Sequence, residues 1–141
     1  MANTVYTKPL PAVDDADLKP YWDGARREEL LIQRCAACGS FRWYPRPVCH
    51  KCWSFDAEWA PVSGKGKVFS YVTVHHAFAA PFRNDLPYTV AIVALDEGVR
   101  LPASLKECAP EDVRIDLPVE VRFERIDEEV TLPYFVPSAG A

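Results

Sequence analysis

From Lys67 onward the chain alternates short apolar runs with turns marked by Gly and Pro, and no helical periodicity interrupts them. Lys67 to Phe78 is rich in Val, Phe, Tyr and Thr and follows the turn signal Ser63-Gly64-Lys65-Gly66. Pro87 to Leu95 is a second run of this kind, ended by Asp96-Glu97-Gly98, and Val99 to Leu105 is a third. Pro118 to Ile126 sets Val119, Val121, Phe123 and Ile126 against Glu120, Arg122 and Glu124, the signature of a strand with one buried face. Val130 to Val136 closes the series. With Glu58 to Val62 this makes five or six strands, which predicts a small β-barrel or sandwich. For about 80 residues a five-stranded Greek-key OB barrel is the economical solution.

The first third of the chain reads differently. Residues 1–11 carry Pro9 and Pro11 and no period, as expected of an extended arm. Leu18, Tyr21, Trp22, Ala25 and Leu30 then recur at three- and four-residue steps and predict a short helix, with Asp14 or Asp15 as N-cap. Pro20 is tolerated early in such a helix, whereas Gly24 counts against it. Leu30 to Arg34 and Phe41 to Tyr44 are apolar runs too short to stand alone, so something must staple them. The expected organisation is mainly β with a short N-terminal helical segment: an arm and helix over 1–30, a ribbon over 31–60, and an OB barrel with a C-terminal tail over 61–141.

The staple is written in the cysteines. Cys35, Cys38, Cys49 and Cys52 form two CxxC pairs ten residues apart. Each pair can curl into a knuckle whose backbone N–H groups point at sulfur, and two knuckles offer four thiolates at tetrahedral angles. Zinc, a d10 ion that accepts soft ligands, fills such a cage, and four protein ligands leave no position for a reactive water. An iron centre uses the same ligands and stays open on spacing alone. A single redox-active CxxC fits two pairs poorly. Disulfides need an oxidising compartment, and MANTVYTKPLP lacks the charged and apolar regions of a secretion signal, so a reduced, cytoplasmic chain is expected. Cys108 stands apart and reads as a small, partly buried apolar residue.

Charge narrows the function classes. The net charge of −4 argues against a general nucleic-acid binder, and no apolar run reaches the roughly 18 residues of a membrane span. Basic residues outnumber acidic ones seven to three between Lys19 and Lys51, and acidic ones outnumber basic nine to three from Glu107 to the end. One face is thereby suited to phosphate and another is not.

The ordered residues also resemble a known family. Tyr21-Trp22 precedes Leu31-Ile32-Gln33-Arg34-Cys35-Ala36-Ala37-Cys38-Gly39 and Pro45-Arg46-Pro47-Val48-Cys49. Trp59, Ser63-Gly64-Lys65-Gly66-Lys67-Val68, Leu86-Pro87-Tyr88, Pro118-Val119-Glu120-Val121 and Leu132-Pro133-Tyr134-Phe135 follow in order. Along nearly its whole length the chain resembles the rubredoxin-like zinc-ribbon plus OB-fold family of acyl-CoA-associated proteins. The family's usual Gly before the late Pro-Val is replaced here by Ile115-Asp116-Leu117. The resemblance implies an accessory subunit of a thiolase-superfamily enzyme, forming a hetero-oligomer with a catalytic chain and holding a coenzyme A thioester. The competing readings are a nucleic-acid-binding zinc-ribbon/OB module and a free-standing acyl-CoA-binding protein.

No nucleophile-plus-base pair is evident, so no turnover is expected from the chain alone. His75 and His76 are adjacent at the end of a strand and read as rim histidines. Arg26, Arg27, Arg34, Arg42, Arg46, Lys65 and Lys67 are candidates for the phosphates of coenzyme A. Trp22, Trp43 and Trp53, with Tyr134 and Phe135, are candidate partner contacts. Pro133 and Pro137 argue against a central strand at the C-terminus, leaving that segment as a partner anchor or as a plug for the barrel.

Overall fold

A computed structural model describes residues 6–138. Its helix, α1 (Lys19–Arg26), is shorter than the periodicity predicts. Asp14 and Asp15 do not cap it. The Asp15 carbonyl instead accepts from the N–H of Leu18 (3.1 Å) and Lys19 (2.8 Å), and its carboxylate accepts from Asp17 N–H, so a turn leads into the helix. Pro20 falls in the first turn, where its missing N–H would have no partner anyway. At the other end, the N–H groups of Arg27 and Glu29 return to Gly24 O, and Glu28 turns to φ 60°. Leu30 therefore leaves the helix and enters the ribbon. Tyr21, Gly24 and Ala25, spaced i, i+3 and i+4, form the buried face.

A three-stranded antiparallel sheet follows, in the order β2 (Phe41–Arg42), β1 (Leu31–Cys35), β3 (Ala57–Pro61). The run near Glu58 thus pairs with β1, from Leu31↔Pro61 to Cys35↔Ala57, and does not join the barrel. The remaining five strands close a barrel in the order β4 (Lys65–Val74), β5 (Tyr88–Leu95), β6 (Arg100–Leu105), β8 (Thr131–Pro137), β7 (Pro118–Arg125). Closure is made by Gly66↔Val119 and its neighbours between β4 and β7, and by the parallel pair Leu105↔Phe135 between β6 and β8.

β8 bears out Val130–Val136 as the closing strand and corrects the other reading of that segment, as a partner-anchoring tail. Leu132 to Val136 is a barrel strand paired along its length with β7, and Phe135 is 1% exposed in the core. Phe135 is therefore unavailable as a partner contact. The two prolines are tolerated because of their parity. Phe135 O accepts from Lys106 N–H at 2.8 Å, so residues 133, 135 and 137 direct their backbone polar groups toward β6. β8 meets β6 only around Leu105↔Phe135, so the N–H groups missing at Pro133 and Pro137 interrupt no ladder.

One core joins the two halves: Tyr21, Leu30 and Ile32 pack with Val68, Val93, Leu101, Val119 and Phe135. Val62 N–H donates to Leu30 O at 3.0 Å where ribbon passes into barrel. No helix among the described residues is long and apolar enough to cross a membrane.

Candidate metal centre and flanking surfaces

The two CxxC segments fold as near copies. In the first, Cys35 N–H donates to Ser40 O, Gly39 N–H returns to Cys35 O, and Cys38 N–H points at Cys35 Sγ (3.4 Å). In the second, Cys49 N–H donates to Ser54 O, Trp53 N–H returns to Cys49 O, and Lys51 N–H points at Cys49 Sγ (3.4 Å). The residue four after the leading cysteine is left-handed in both: Gly39 at φ 78° and Trp53 at φ 65°. Only the glycine is at ease there.

The four sulfurs lie within 4.8 Å of one another, with Cys35–Cys52 at 3.5 Å and Cys38–Cys49 at 3.6 Å. A tetrahedral zinc site with bonds of about 2.3 Å needs sulfurs roughly 3.8 Å apart, so the cage fits the ion. Its electrostatics also call for a cation. The N–H groups of Cys52 and Lys51 hold the Cys49 thiol down at about 5. The Ser54 N–H likewise favours a thiolate at Cys52, yet the crowding of Cys35, Cys38 and Cys49 sulfurs pushes that thiol up to about 12. Four thiolates cannot coexist at this spacing without a positive charge among them, and a divalent ion deprotonates and neutralises the set. Cys35 and Cys49 are buried and Cys38 and Cys52 exposed, as in a closed structural site at a surface.

Basic residues separate into different roles. Arg26 and Arg27 line a polar cleft of about 480 Å³ with Lys19, Arg125, Asp23 and Glu128. Arg42 is 4% exposed; its Nε donates to Gln33 Oε1 (2.7 Å) and its Nη2 to Arg46 O (2.8 Å). That side chain ties the segment after β2 to β1 and is not free to meet a phosphate, which corrects the expectation for Arg42. Arg34 stacks on Phe41 and faces Glu58. Arg46, Lys65 and Lys67 lie outside both clefts.

On the other side of α1 is a larger cleft of about 740 Å³. Its wall is a column of rings, Trp22–Tyr21–Trp43–Tyr44, with successive centroids 4.9, 4.8 and 5.1 Å apart. Tyr134, under the Lys106 ammonium at 4.7 Å, also lines it, as does Lys8, paired with Asp85 at 2.6 Å. Trp22, Trp43 and Tyr134 are thus half-buried cleft residues. Trp53, by contrast, is 76% exposed, and so is Phe55. The sequence reading missed Phe55, which carries no spacing signal, and the arm residues Tyr6 and Lys8. Cys108 lines the cleft, and burial pushes its thiol up. His75 and His76 fall beyond the end of β4, where His76 packs on Phe78.

A pair of cysteine knuckles on a three-stranded sheet, running directly into a closed five-stranded barrel, defines a zinc-ribbon–OB-fold protein. The models of the ChsH2 rubredoxin-like zinc ribbon domain and the ChsH2 C-terminal OB-fold domain match residues 22–58 and 59–124, and the chain belongs to that family. It is 40% identical over 131 residues to a probable enoyl-CoA hydratase alpha subunit of Thermomonospora curvata, covering 93% of this chain and 40% of that protein. A DUF35 domain-containing scaffold protein of Methanocaldococcus jannaschii is 41% identical over 101 residues, 71% of each chain. Among solved structures, a chain of the Ltp2-ChsH2(DUF35) aldolase superposes with a TM-score of 0.80 at 40% identity, covering 90% of this chain and 98% of that one. The present chain spans about two fifths of the length of the hydratase subunit it matches.

Proposed function

We propose that the chain is a non-catalytic accessory subunit that docks on a thiolase-superfamily catalytic chain through its second knuckle and helps to hold the acyl-CoA thioester. Trp53 carries this reading. A large aromatic is held 76% exposed in a left-handed conformation, where glycine serves in the sister knuckle. The backbone disfavours it there by about 1–2 kcal/mol and water gains nothing from it, so its value lies in contact with something else. Phe55 beside it and a rigid metal-bound base make the pair a low-entropy anchor. The names of the relatives, a hydratase subunit, a scaffold protein and an aldolase complex, support the same class of partner.

The two clefts flanking α1 support the thioester part of the proposal. The polar one offers Arg26, Arg27, Lys19 and Arg125 to phosphates, and the ring-lined one receives an apolar chain. They meet at the β7–β8 hairpin, where Arg125 and Thr131 line one and Glu124 and Leu132 line the other. An amphipathic molecule with a polyanionic end and an apolar end fits that pairing.

The test is Trp53→Gly. This change relieves the backbone, so zinc content and thermal stability should hold or rise slightly. Affinity for a co-expressed aldolase- or thiolase-type chain should fall by about 2 kcal/mol or more, roughly 30-fold. Unchanged affinity overturns the docking face. Nucleic acid co-purifying in place of a catalytic chain overturns the reading altogether.

A further inference from the structure

Each cysteine knuckle carries a serine at the same place, two residues after its second cysteine: Cys38-Gly39-Ser40 and Cys52-Trp53-Ser54. The two copies differ at that side chain. Ser40 Oγ lies 3.0 Å from Cys38 Sγ and 3.6 Å from Cys49 Sγ, so one hydroxyl reaches a cage sulfur from each knuckle. Ser54 Oγ instead accepts from Asp56 N–H at 3.1 Å, ahead of β3. Both serines are half-buried, so exposure does not explain the difference. The backbone treats the two outer sulfurs alike, with Ser40 N–H directed at Cys38 Sγ and Ser54 N–H at Cys52 Sγ. Among the described residues Ser40 is the one side chain other than a cysteine that reaches a cage sulfur.

We infer that Ser40 is a positioning residue for the metal: its hydroxyl donates to the Cys38 thiolate, makes the first knuckle the firmer half of the cage, and leaves Cys52 as the ligand at which the cage opens. A sulfur bound to a divalent ion carries no proton. The proton between Ser40 and Cys38 is then the hydroxyl's, and the serine is the donor. Four thiolates around one divalent cation leave a net double negative charge on the sulfurs, and a donor held on one sulfur draws part of that charge away. Groups in such a position change metal affinity by roughly 10- to 100-fold without touching the ion. Cys38 and Cys52 are the two exposed ligands, so they are the two that solvent or an electrophile can attack. Only Cys38 has the hydroxyl, and Cys52 keeps the more electron-rich, more nucleophilic sulfur. The inference stands on the cage alone and is independent of docking through Trp53.

Competition of the zinc-loaded full chain against a chromophoric chelator tests this. Ser40→Ala should weaken the hold on zinc about tenfold or more, whereas Ser54→Ala should leave it unchanged. Cobalt(II) in place of zinc gives a reading that a merely structural serine would not move. The sulfur-to-metal charge-transfer band should shift to the red in Ser40→Ala, because a thiolate without its donor gives up electron density more easily, and should stay in place in Ser54→Ala. Sub-stoichiometric iodoacetamide on the zinc-loaded chain, read by peptide mapping to separate the ligands from Cys108, should label Cys52 ahead of Cys38. Ser40→Ala should raise the labelling of Cys38 relative to Cys52. If Ser40→Ala fails to fold, Ser40→Gly removes the same hydroxyl and takes its place. An unchanged hold on zinc or an unshifted band in the variant overturns the proposal. So does an equal loss in Ser54→Ala, which would make both serines turn formers only, and so does a wild type labelled first at Cys38.

Discussion

Gly24 carries the closest approach between helix and ribbon. A Cβ placed there would lie 2.7 Å from Leu31 Cγ and 2.9 Å from the Glu29 carbonyl oxygen. The Leu31 side chain can yield, but the carbonyl that follows the helix cannot. Gly24→Ala should therefore destabilise the protein by about 1–3 kcal/mol, despite the gain in helix propensity that alanine brings elsewhere. Thermal unfolding would show it as a lower midpoint, and Leu31→Ala in the same chain should return only part of the loss. An unchanged midpoint would mean that α1 does not rest on β1 as closely as described. In the sequence, Gly24 looks like an argument against a helix, because propensity is local and the reason for the glycine is a neighbour seven residues on. Arg42 was illegible for the same reason: nothing in its own surroundings says that Gln33 takes up its guanidinium. The four cysteines were legible because a ligand set announces itself by spacing.

At the scale of elements, alternation read the strands well wherever one face is buried and the other wet. It placed Pro118–Arg125 almost to its ends. It also placed Val130–Val136 as the closing strand, close to β8. The separate proline argument for a tail was the one that failed, because only the parity of Pro133, Phe135 and Pro137 against two neighbours reconciles those prolines with a strand. No single-strand pattern contains that information. Since β8 bridges β7 and β6 and plants Phe135 in the core, Phe135→Ala should cost about 3–5 kcal/mol, and a chain ending at residue 129 should not close its barrel. Denaturant titration of the full-length variant checks the first. A loss under about 1 kcal/mol would contradict the burial, since it would match an exposed site. The helix was overestimated because Leu30 continues the period by accident while serving the ribbon core.

The whole molecule joins a metal-dependent half to one that holds itself. The ribbon sheet contains a two-residue strand and a five-residue one on either side of β1, far too little to fold unaided, whereas the barrel closes by backbone pairing alone. Chelation, or acid that protonates the thiolates, should release about one zinc per chain and loosen the helix–ribbon half first. Cys49→Ser should do the same without a chelator. A chain with no bound metal and an unaltered ribbon would refute the structural role of the site.

The aromatic column beside that ribbon makes this separation directly observable. All four tryptophans, at 22, 43, 53 and 59, belong to α1, the segment after β2, the second knuckle and β3, and the barrel strands contain none. Tryptophan emission therefore arises from the helix–ribbon half and senses the barrel only where Trp22, Trp43 and Trp59 pack against the shared core, while the far-UV band is dominated by the barrel. Metal withdrawal should shift the emission to the red, as Trp22 and Trp43 leave their packed neighbours, with the β-sheet band largely retained. The chain carries its own two-channel spectroscopic readout, and no label or substitution is needed to follow each half.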